Sequence, residues 1–167
     1  MKNKTELTKE VIMKSDEILF RFCFTKTIII YEIIAAIMVC FLVFLESYFL
    51  SILFTVFMIG FPFVLSNLYK KKTKETISKI LTQNKEIVYT YDFNEETITI
   101  TIFIDDKSKQ TVIENKKLYK VVEDSNYIYL FTDKSSLYAL TKNGFEKSFD
   151  ELEFRSLFVG KTNYKII

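Results

Sequence analysis

The feature that most constrains this chain is an apolar block over residues 27–68 with only two charged side chains, Glu32 and Glu46. It divides into Thr27–Leu45, with one charge, and Tyr48–Leu68, with none. At about 1.5 Å per residue, each segment in helical form covers roughly 30 Å, the thickness of a bilayer's hydrocarbon core. A chain of 167 residues has too little other material to enclose two helices that are apolar on every side. The sequence therefore predicts a transmembrane helical hairpin, with spans at 27–45 and 48–68.

The basic side chains near this hairpin lie only on its two flanks. Residues 1–26 and 69–85 carry them, whereas the turn at Glu46 and Ser47 has none. Basic flanks stay on the cytoplasmic side of a membrane, so we expect both termini in the cytoplasm and the turn outside. The excess of Lys over Arg and the abundant Ile are typical of an AT-rich bacterial genome. The expected location is therefore a bacterial plasma membrane, with a multi-pass topology.

The two flanks differ in character. Residues 1–26 contain an amphipathic helix that Thr8 can cap, and this cytoplasmic segment is predicted to lie either in the membrane interface or on the soluble domain. Residues 69–85 carry six Lys and one Glu and are predicted to form a basic juxtamembrane linker helix. Such a run attracts anionic lipid headgroups by about 1 kcal/mol per basic residue, although it also serves merely to fix topology. The candidate headgroup contacts are Lys70, Lys71, Lys72 and Lys74.

Glu32 is the charged side chain inside the first predicted span. In an antiparallel hairpin it lies level with Pro62, which leaves the carbonyl of Met58 without its helical donor. Carboxylates inside membranes often mark proton or ion sites, so Glu32 is a candidate intramembrane polar site. In the alternative interpretation, Glu32 lies close enough to the cytoplasmic edge to reach headgroup water.

After residue 85 the apolar periodicity changes from helical to two, as in the half-buried pattern of Thr97–Ile104. Residues 86–167 are therefore predicted to form a small antiparallel β domain in the cytoplasm, with Ser148–Val159 as a C-terminal capping helix. The whole chain is then α+β: an amphipathic helix and a transmembrane hairpin, followed by this domain. The predicted strands are Glu86–Phe93, Thr97–Ile104, Gln110–Glu114, Leu118–Glu123, Tyr127–Thr132 and Ser136–Thr141.

Several segments of the chain carry a family resemblance. They are Leu7–Glu10 (LTKE), Leu118–Glu123 (LYKVVE), Tyr127–Phe131 (YIYLF) and Leu137–Leu140 (LYAL), with Lys142 and Phe145 after the last. Together with the two adjacent apolar segments, they make the chain similar to the YcxB-like membrane proteins. This resemblance implies two transmembrane helices and a C-terminal domain similar to bacterial pleckstrin-homology domains, and it implies no established activity. The six predicted strands are one fewer than the seven of a pleckstrin-homology fold.

Composition and motifs argue against several classes of function. The chain has no His, and its two cysteines, Cys23 and Cys40, lie far apart, which argues against zinc enzymes, His-based triads and disulfide scaffolds. Glycine-rich phosphate loops and nucleophile motifs are also absent from the sequence. We therefore expect no enzymatic activity, no catalytic residue, no metal site and no cofactor. Residues 86–167 carry eleven basic and fourteen acidic side chains, and this net charge of −3 argues against nucleic-acid binding.

Two functions remain after these exclusions. The first is a non-enzymatic, membrane-anchored binding module whose β domain engages a protein partner, as yet unidentified, or a lipid headgroup at the cytoplasmic surface. The alternative is an accessory or immunity-type membrane protein that acts through its hairpin, on a transporter or against a membrane-active toxin. Substitutions on the domain surface and in the hairpin would distinguish the two. In both, the lipid bilayer is an expected partner.

Overall fold

The computed structural model of the protein describes residues 1–83, 86–105, 107–147, 149–160 and 163–167, without the side chains of 23, 24, 26, 27, 76, 80, 81 and 83. Strands and helices are mixed along these residues, which confirms the α+β class. The elements are β1 (Lys2–Glu6), α1 (Lys9–Phe44), α2 (Tyr48–Gln83), β2 (Ile87–Phe93), β3 (Thr97–Ile104), β4 (Lys107–Glu114), β5 (Lys120–Glu123), β6 (Tyr127–Phe131), β7 (Leu137–Thr141), α3 (Asp150–Phe158) and β8 (Tyr164–Ile166).

The chain divides into two compact units. The β unit comprises Met1–Leu19 and Ile77–Ile167, and the helical unit comprises Phe20–Thr76. Each of the two long helices therefore belongs partly to both units. The sequence prediction set residues 1–26 apart from the β domain, whereas this division places Met1–Leu19 within it. The physical reason is β1, which pairs with β2 along its whole length.

Within the described residues, the β unit contains two four-stranded sheets. Sheet A has the order β1-β2-β3-β4 with every pair antiparallel. Sheet B has the order β7-β6-β5-β8, in which β8 is parallel to β5 and the other pairs are antiparallel. Strands β2 to β7 overlap the six predicted ones, whereas β1 and β8 were not predicted. β1 (KNKTE) has no apolar alternation, because its buried side chains are the polar Asn3 and Thr5.

The core of the β unit lies between the two sheets and is closed by α3. Asp150, Glu151 and Glu153 occupy the first turn of α3, where carboxylates interact favourably with the helix dipole. Farther along the helix, the ring of Phe154 meets that of Phe93 edge-on at 5.1 Å. The fully buried members of this core are Tyr91, Ile98, Ile100, Val121, Ile128, Leu130, Leu140, Phe154 and Phe158.

Strand β6 of sheet B is buried on both faces, since all five of its residues are buried. The first turns of α1 account for this burial: Val11 and Ile18 are buried, and the hydroxyl of Tyr127 donates to the Glu10 carboxylate at 2.9 Å. The hydroxyl of Thr8 accepts the Val11 N–H at 3.3 Å, as a helix N-cap does. Of the two predicted positions for the amphipathic helix, the structure therefore supports the one on the β domain.

The helical unit contains the end of α1, a tight turn and most of α2. Glu46 has a φ of 56°, and the N–H of Ser47 donates to the carbonyl of Leu42 at 2.9 Å, so α1 ends in a left-handed C-terminal turn. The rings of Phe20 and Tyr69 lie 4.7 Å apart, which places the two helices side by side.

The two long helices differ in whether they are long and apolar enough to cross a membrane. Among the residues that the structure describes, one helix, Tyr48–Lys79, is long and apolar enough to cross a membrane by length and composition. The apolar part of α1, Ile28–Phe44, is shorter. The predicted two-span topology therefore stays a prediction.

Candidate functional site

The four predicted headgroup lysines lie on α2, which continues without interruption from the apolar segment through residue 83. All four are exposed. At 100° per residue, Lys70, Lys71 and Lys74 lie on one side of the helix and Lys72 lies on another. The structure thus gives a basic helical segment with a preferred side, within the helical unit.

Glu32, the other predicted site, is half-buried in α1. Its carboxylate makes no hydrogen bond or ion pair with any side chain or backbone group that the structure describes. The predicted contact with the freed carbonyl near Pro62 is therefore not formed among those residues. The structure does not bring Glu32 together with the predicted lysines.

The β unit contains a buried ion cluster that the sequence analysis did not identify. Its centre is Glu123, the last residue of β5, whose side chain is 1% exposed. Lys142 Nζ donates to one carboxylate oxygen at 2.6 Å, and Arg155 Nε donates to the other at 3.1 Å. A second nitrogen of Arg155 and the hydroxyl of Tyr164 complete the set of donors. Both oxygens of the buried carboxylate are therefore satisfied.

A second carboxylate balances the charge of this cluster. Glu151 Oε1 lies 2.7 Å from the guanidinium of Arg155 and 3.5 Å from Nζ of Lys142. Glu151 and Arg155 are one helical turn apart on α3, a spacing at which opposite charges attract. Two cations thus face two anions, and the cluster joins β5, the segment after β7, α3 and β8.

The electrostatics of the cluster keep Glu123 ionised near neutral pH. Burial acts to raise the pKa of this carboxyl, but hydrogen bonds from Arg155, Lys142 and Tyr164 outweigh burial and lower the pKa to about 2. Burial and the bond to Glu123 raise the pKa of Tyr164. A general acid or base works best with a pKa near the ambient pH. The cluster is therefore suited to holding elements together and unsuited to proton transfer.

A polar junction joins the two sheets at β1 and β7. Asn3 Nδ2 donates to the carbonyl of Thr141 at 2.8 Å, and the N–H of Thr141 donates to Thr5 Oγ1 at 2.9 Å. Thr5 Oγ1 in turn donates to Asn3 Oδ1 at 2.8 Å. A Cβ at Gly144 would overlap the carbonyl oxygen of Lys4, so the chain approaches β1 closely here. The N-terminal strand thus closes the corner between the sheets.

An open pocket of about 540 Å³ lies beside the β2–β3 turn. Glu95, Glu96 and Glu153 give it an acidic rim, and Leu157 with Phe93 contributes its apolar part. No group of three or more His, Cys, Asp or Glu in the described part of the chain is arranged to hold a metal ion.

Comparison with known families was positive for one segment. Residues 93–158 match the family model of the YcxB-like protein. This match supports the YcxB-like family. The YcxB-like segment begins at the end of β2 and ends with α3; it contains Glu123, Lys142 and Arg155 but neither β1 nor Tyr164. No curated protein and no solved structure matches the chain.

The sequence held only a faint signal for the ion cluster. Glu123 ends an otherwise apolar strand core (KVVE), and Arg155 is one of two arginines in the chain. Arginine is favoured over lysine for buried pairs because its planar fork matches a carboxylate. A carboxylate that closes a buried strand and a rare arginine on the closing helix together point to such a pair.

Proposed function

We propose that this chain is a non-enzymatic, membrane-anchored binding module. In this proposal the helical unit lies in a bacterial plasma membrane with both termini in the cytoplasm. The β unit is a pleckstrin-homology-like domain that engages a protein partner or anionic lipid headgroups at the membrane surface. The observation that carries the proposal is the contrast in exposure between the two units.

The helical unit supports the membrane part of the proposal. Its helices expose large apolar side chains around most of their circumference, which water solvates poorly. A helix satisfies its backbone hydrogen bonds internally, so an apolar surround is tolerated. The most exposed of these side chains include Ile30, Ile37, Phe44, Phe49, Ile52, Val56, Ile59 and Phe63.

The strand count supports the domain part of the proposal. Sheet A contributes four antiparallel strands, and β5, β6 and β7 contribute three more among the described residues, followed by a closing helix. These seven strands, which exclude β8, are the number that the family resemblance implies, and β1 is the one among them that the sequence did not predict. The two long helices are then an insertion between the first and second strands.

The topology is tested by cysteine labelling of intact cells. The background variant carries Cys23→Ser and Cys40→Ser, and single cysteines are then placed at Ser47, in the turn, and at Ser135, in an exposed loop of the β unit. An impermeant maleimide should label Ser47→Cys in intact cells and Ser135→Cys only after permeabilisation. The reverse pattern, or release of the chain by alkaline carbonate, would contradict the proposal.

Lipid engagement is tested with the basic segment of α2. Changing Lys70, Lys71, Lys72 and Lys74 to Gln should lower the amount of anionic lipid that stays bound in native mass spectrometry. Each lysine contributes about 1 kcal/mol near an anionic surface. The matched control changes Lys116 and Lys117, which are exposed on the β unit, to Gln. Equal lipid retention in both variants would remove the headgroup assignment.

The protein-partner assignment is tested by capture from native membranes in mild detergent. We expect substitutions of exposed β-unit side chains such as Val112 and Tyr119 to abolish co-purification of the partner. If only substitutions in the exposed face of the helices do so, the accessory or immunity-type function through the hairpin is the better description.

A further inference from the structure

The C-terminal strand occupies the edge of sheet B in an unusual way. β8 pairs with β5 in parallel over three residues, whereas every other strand pair in the described sheets is antiparallel. The N–H of Val121 donates to the carbonyl of Asn163 at 3.1 Å, and the N–H of Ile167 donates to the carbonyl of Glu123 at 2.9 Å. The hydroxyl of Tyr164 reaches the Glu123 carboxylate. β8 thus meets β5 through backbone groups and one side-chain anchor.

Apart from the packing of Tyr164 against the core, β8 buries little apolar surface. Ile166 is 66% exposed, and Tyr164 is its half-buried side chain. Parallel pairing is slightly less stable per residue than antiparallel pairing. Segments with few buried apolar contacts and exposed backbone hydrogen bonds open at low free energy. β8 is therefore among the parts of the β unit that detach most easily.

Detachment of β8 would leave a recognisable binding surface. The edge of β5 would present the free N–H of Val121 and the free carbonyl of Glu123. The Glu123 carboxylate would lose one donor while keeping Lys142 and Arg155. An exposed strand edge pairs readily with an added strand, and the carboxylate would select the side chain that arrives beside it.

We propose that the edge of β5 is a strand-addition site for an extended peptide segment of a protein partner, and that β8 occupies this site as an internal competitor. The segment that fits carries an aromatic hydroxyl beside Glu123 and an apolar residue two positions later, as Tyr164 and Ile166 do. The inference rests on the proposed binding function and names its partner chemistry. It does not depend on membrane insertion.

The competition has a quantitative consequence. A segment linked within the same chain has an effective concentration in the millimolar range. The apparent affinity of an added peptide is reduced by the fraction of molecules whose site is free. The intact protein should therefore bind such a peptide poorly, and a variant with a weakened β8 should bind it better.

The test uses the full chain in detergent and a fluorescent peptide with the sequence of residues 163–167. Lys165→Pro removes a backbone donor from β8, and the matched control Lys165→Ala leaves the backbone intact. Fluorescence anisotropy should show Lys165→Pro binding the peptide about tenfold more tightly than Lys165→Ala does, because both variants lack the Lys165 side chain and only Lys165→Pro lacks the backbone donor. A peptide with Phe in place of Tyr should bind about tenfold more weakly, since the hydrogen bond to a charged carboxylate is lost.

Circular dichroism shows whether each variant is still folded, so that a loss of peptide binding can be interpreted. A Lys165→Pro variant that keeps its β spectrum and does not bind the peptide would overturn the proposal. Equal binding by all three proteins would overturn it as well, because β8 would then not compete. If Lys165→Pro unfolds, Tyr164→Gly replaces it as the variant with a weakened β8, under the same two criteria. Failure of the labelling test in intact cells would leave these results unaffected, so the two proposals fail separately.

Discussion

The β unit and the helical unit treat the same kinds of apolar side chain in opposite ways. In the β unit the large ring of Tyr91 is 0% exposed, whereas Phe49 in the helical unit is 79% exposed. Burial contributes about 25 cal/mol per Å² of apolar surface, so the β unit gains its stability from its own interior. The helical unit buries little of its apolar surface within itself, so this free energy would have to come from contacts with its surroundings. The same apolar content therefore has different meanings in the two units, a packed core in one and an exposed surface in the other.

The carboxylates of the two units also differ in the partners that surround them. In the β unit the buried Glu123 is surrounded by donors and its charge is balanced, which offsets the cost of removing it from water. In the helical unit Glu32 is half-buried and lacks such a partner among the described groups. The buried carboxylate of the β unit is thus satisfied within that unit, whereas the Glu32 carboxylate is not satisfied by the described groups.

The largest expected effect on stability comes from a buried position of α3, compared with an exposed position of the same helix. Phe154→Ala should lower the free energy of unfolding of the β unit by about 3–5 kcal/mol, because it leaves a cavity in the core. Leu152→Ala is the control: Leu152 is 65% exposed on the same helix, and its loss should cost at most about 0.5 kcal/mol. Urea unfolding followed by circular dichroism measures both. Similar losses in the two variants would mean that α3 does not close the core.

The next largest effect is the loss of stability at low pH that follows from protonation of Glu123. The folded pKa is about 2, lower than the unfolded value of 4.5, so the folded state binds fewer protons. The stabilisation is complete above pH 4.5 and is lost as the pH falls toward 2. Between these limits the wild type should lose about 3 kcal/mol more stability than Glu123→Gln does.

Urea unfolding at a series of pH values measures this difference. The exposed carboxyls of Glu114 and Asp133 also have lowered pKa values, because of hydrogen bonds from Lys117 and Ser135, respectively. They titrate alike in both proteins and cancel in the comparison. Parallel stability profiles for the wild type and Glu123→Gln would exclude the cluster as the source of acid sensitivity.

An intermediate effect tests whether β1 is integral to the β unit. Asn3→Ala removes the donor to the Thr141 carbonyl and the acceptor of the Thr5 hydroxyl, and should cost about 1–3 kcal/mol. Lys4→Ala, at an exposed position of the same strand, should change stability by no more than about 0.5 kcal/mol. Thermal unfolding distinguishes the two. If both variants unfold like the wild type, the junction between the sheets contributes nothing to stability.

The smallest effect on stability is expected from a substitution of Glu32 in the helical unit. Because its carboxylate has no partner among the described groups, Glu32→Gln should leave the amount of protein in the membrane fraction unchanged and shift unfolding by at most about 0.5 kcal/mol. Glu46→Gln, in the exposed turn, is the control. A large loss confined to Glu32→Gln would show that this carboxylate has a partner and that the helical unit also contains a specific polar site.

Local patterns were sufficient to predict most of the secondary structure. Period two marks Thr97–Ile104, and long apolar runs mark the two helices, because these signals depend only on neighbouring residues. β1 gives no such signal, since its buried positions hold Asn3 and Thr5. A polar strand of this kind is stabilised by its partners in the sheet and so escapes detection from sequence.

The ion cluster was missed for a related reason. Glu123 is 19 residues from Lys142, 32 from Arg155 and 41 from Tyr164. No local rule links positions so far apart, and only the packed sheet and closing helix bring them together. The predicted sites, Glu32 and the lysines of α2, were chosen for composition, and the structure leaves them apart.

The position of β1 has a consequence for how the chain folds. Leu7 donates its N–H to the carbonyl of Ile87 at 2.8 Å, so contacts at this point close a loop of about 80 residues. During synthesis β1 is made before both long helices, whereas its partner β2 is made only after them. Closing so long a loop as a flexible chain costs conformational entropy and slows folding. Two helices of 36 residues each lead out and back by the same length, so the ends of the loop meet once the helices have formed. Adding one turn to both helices should therefore preserve the registration of β1 with β2, whereas adding a turn to one helix should disturb it.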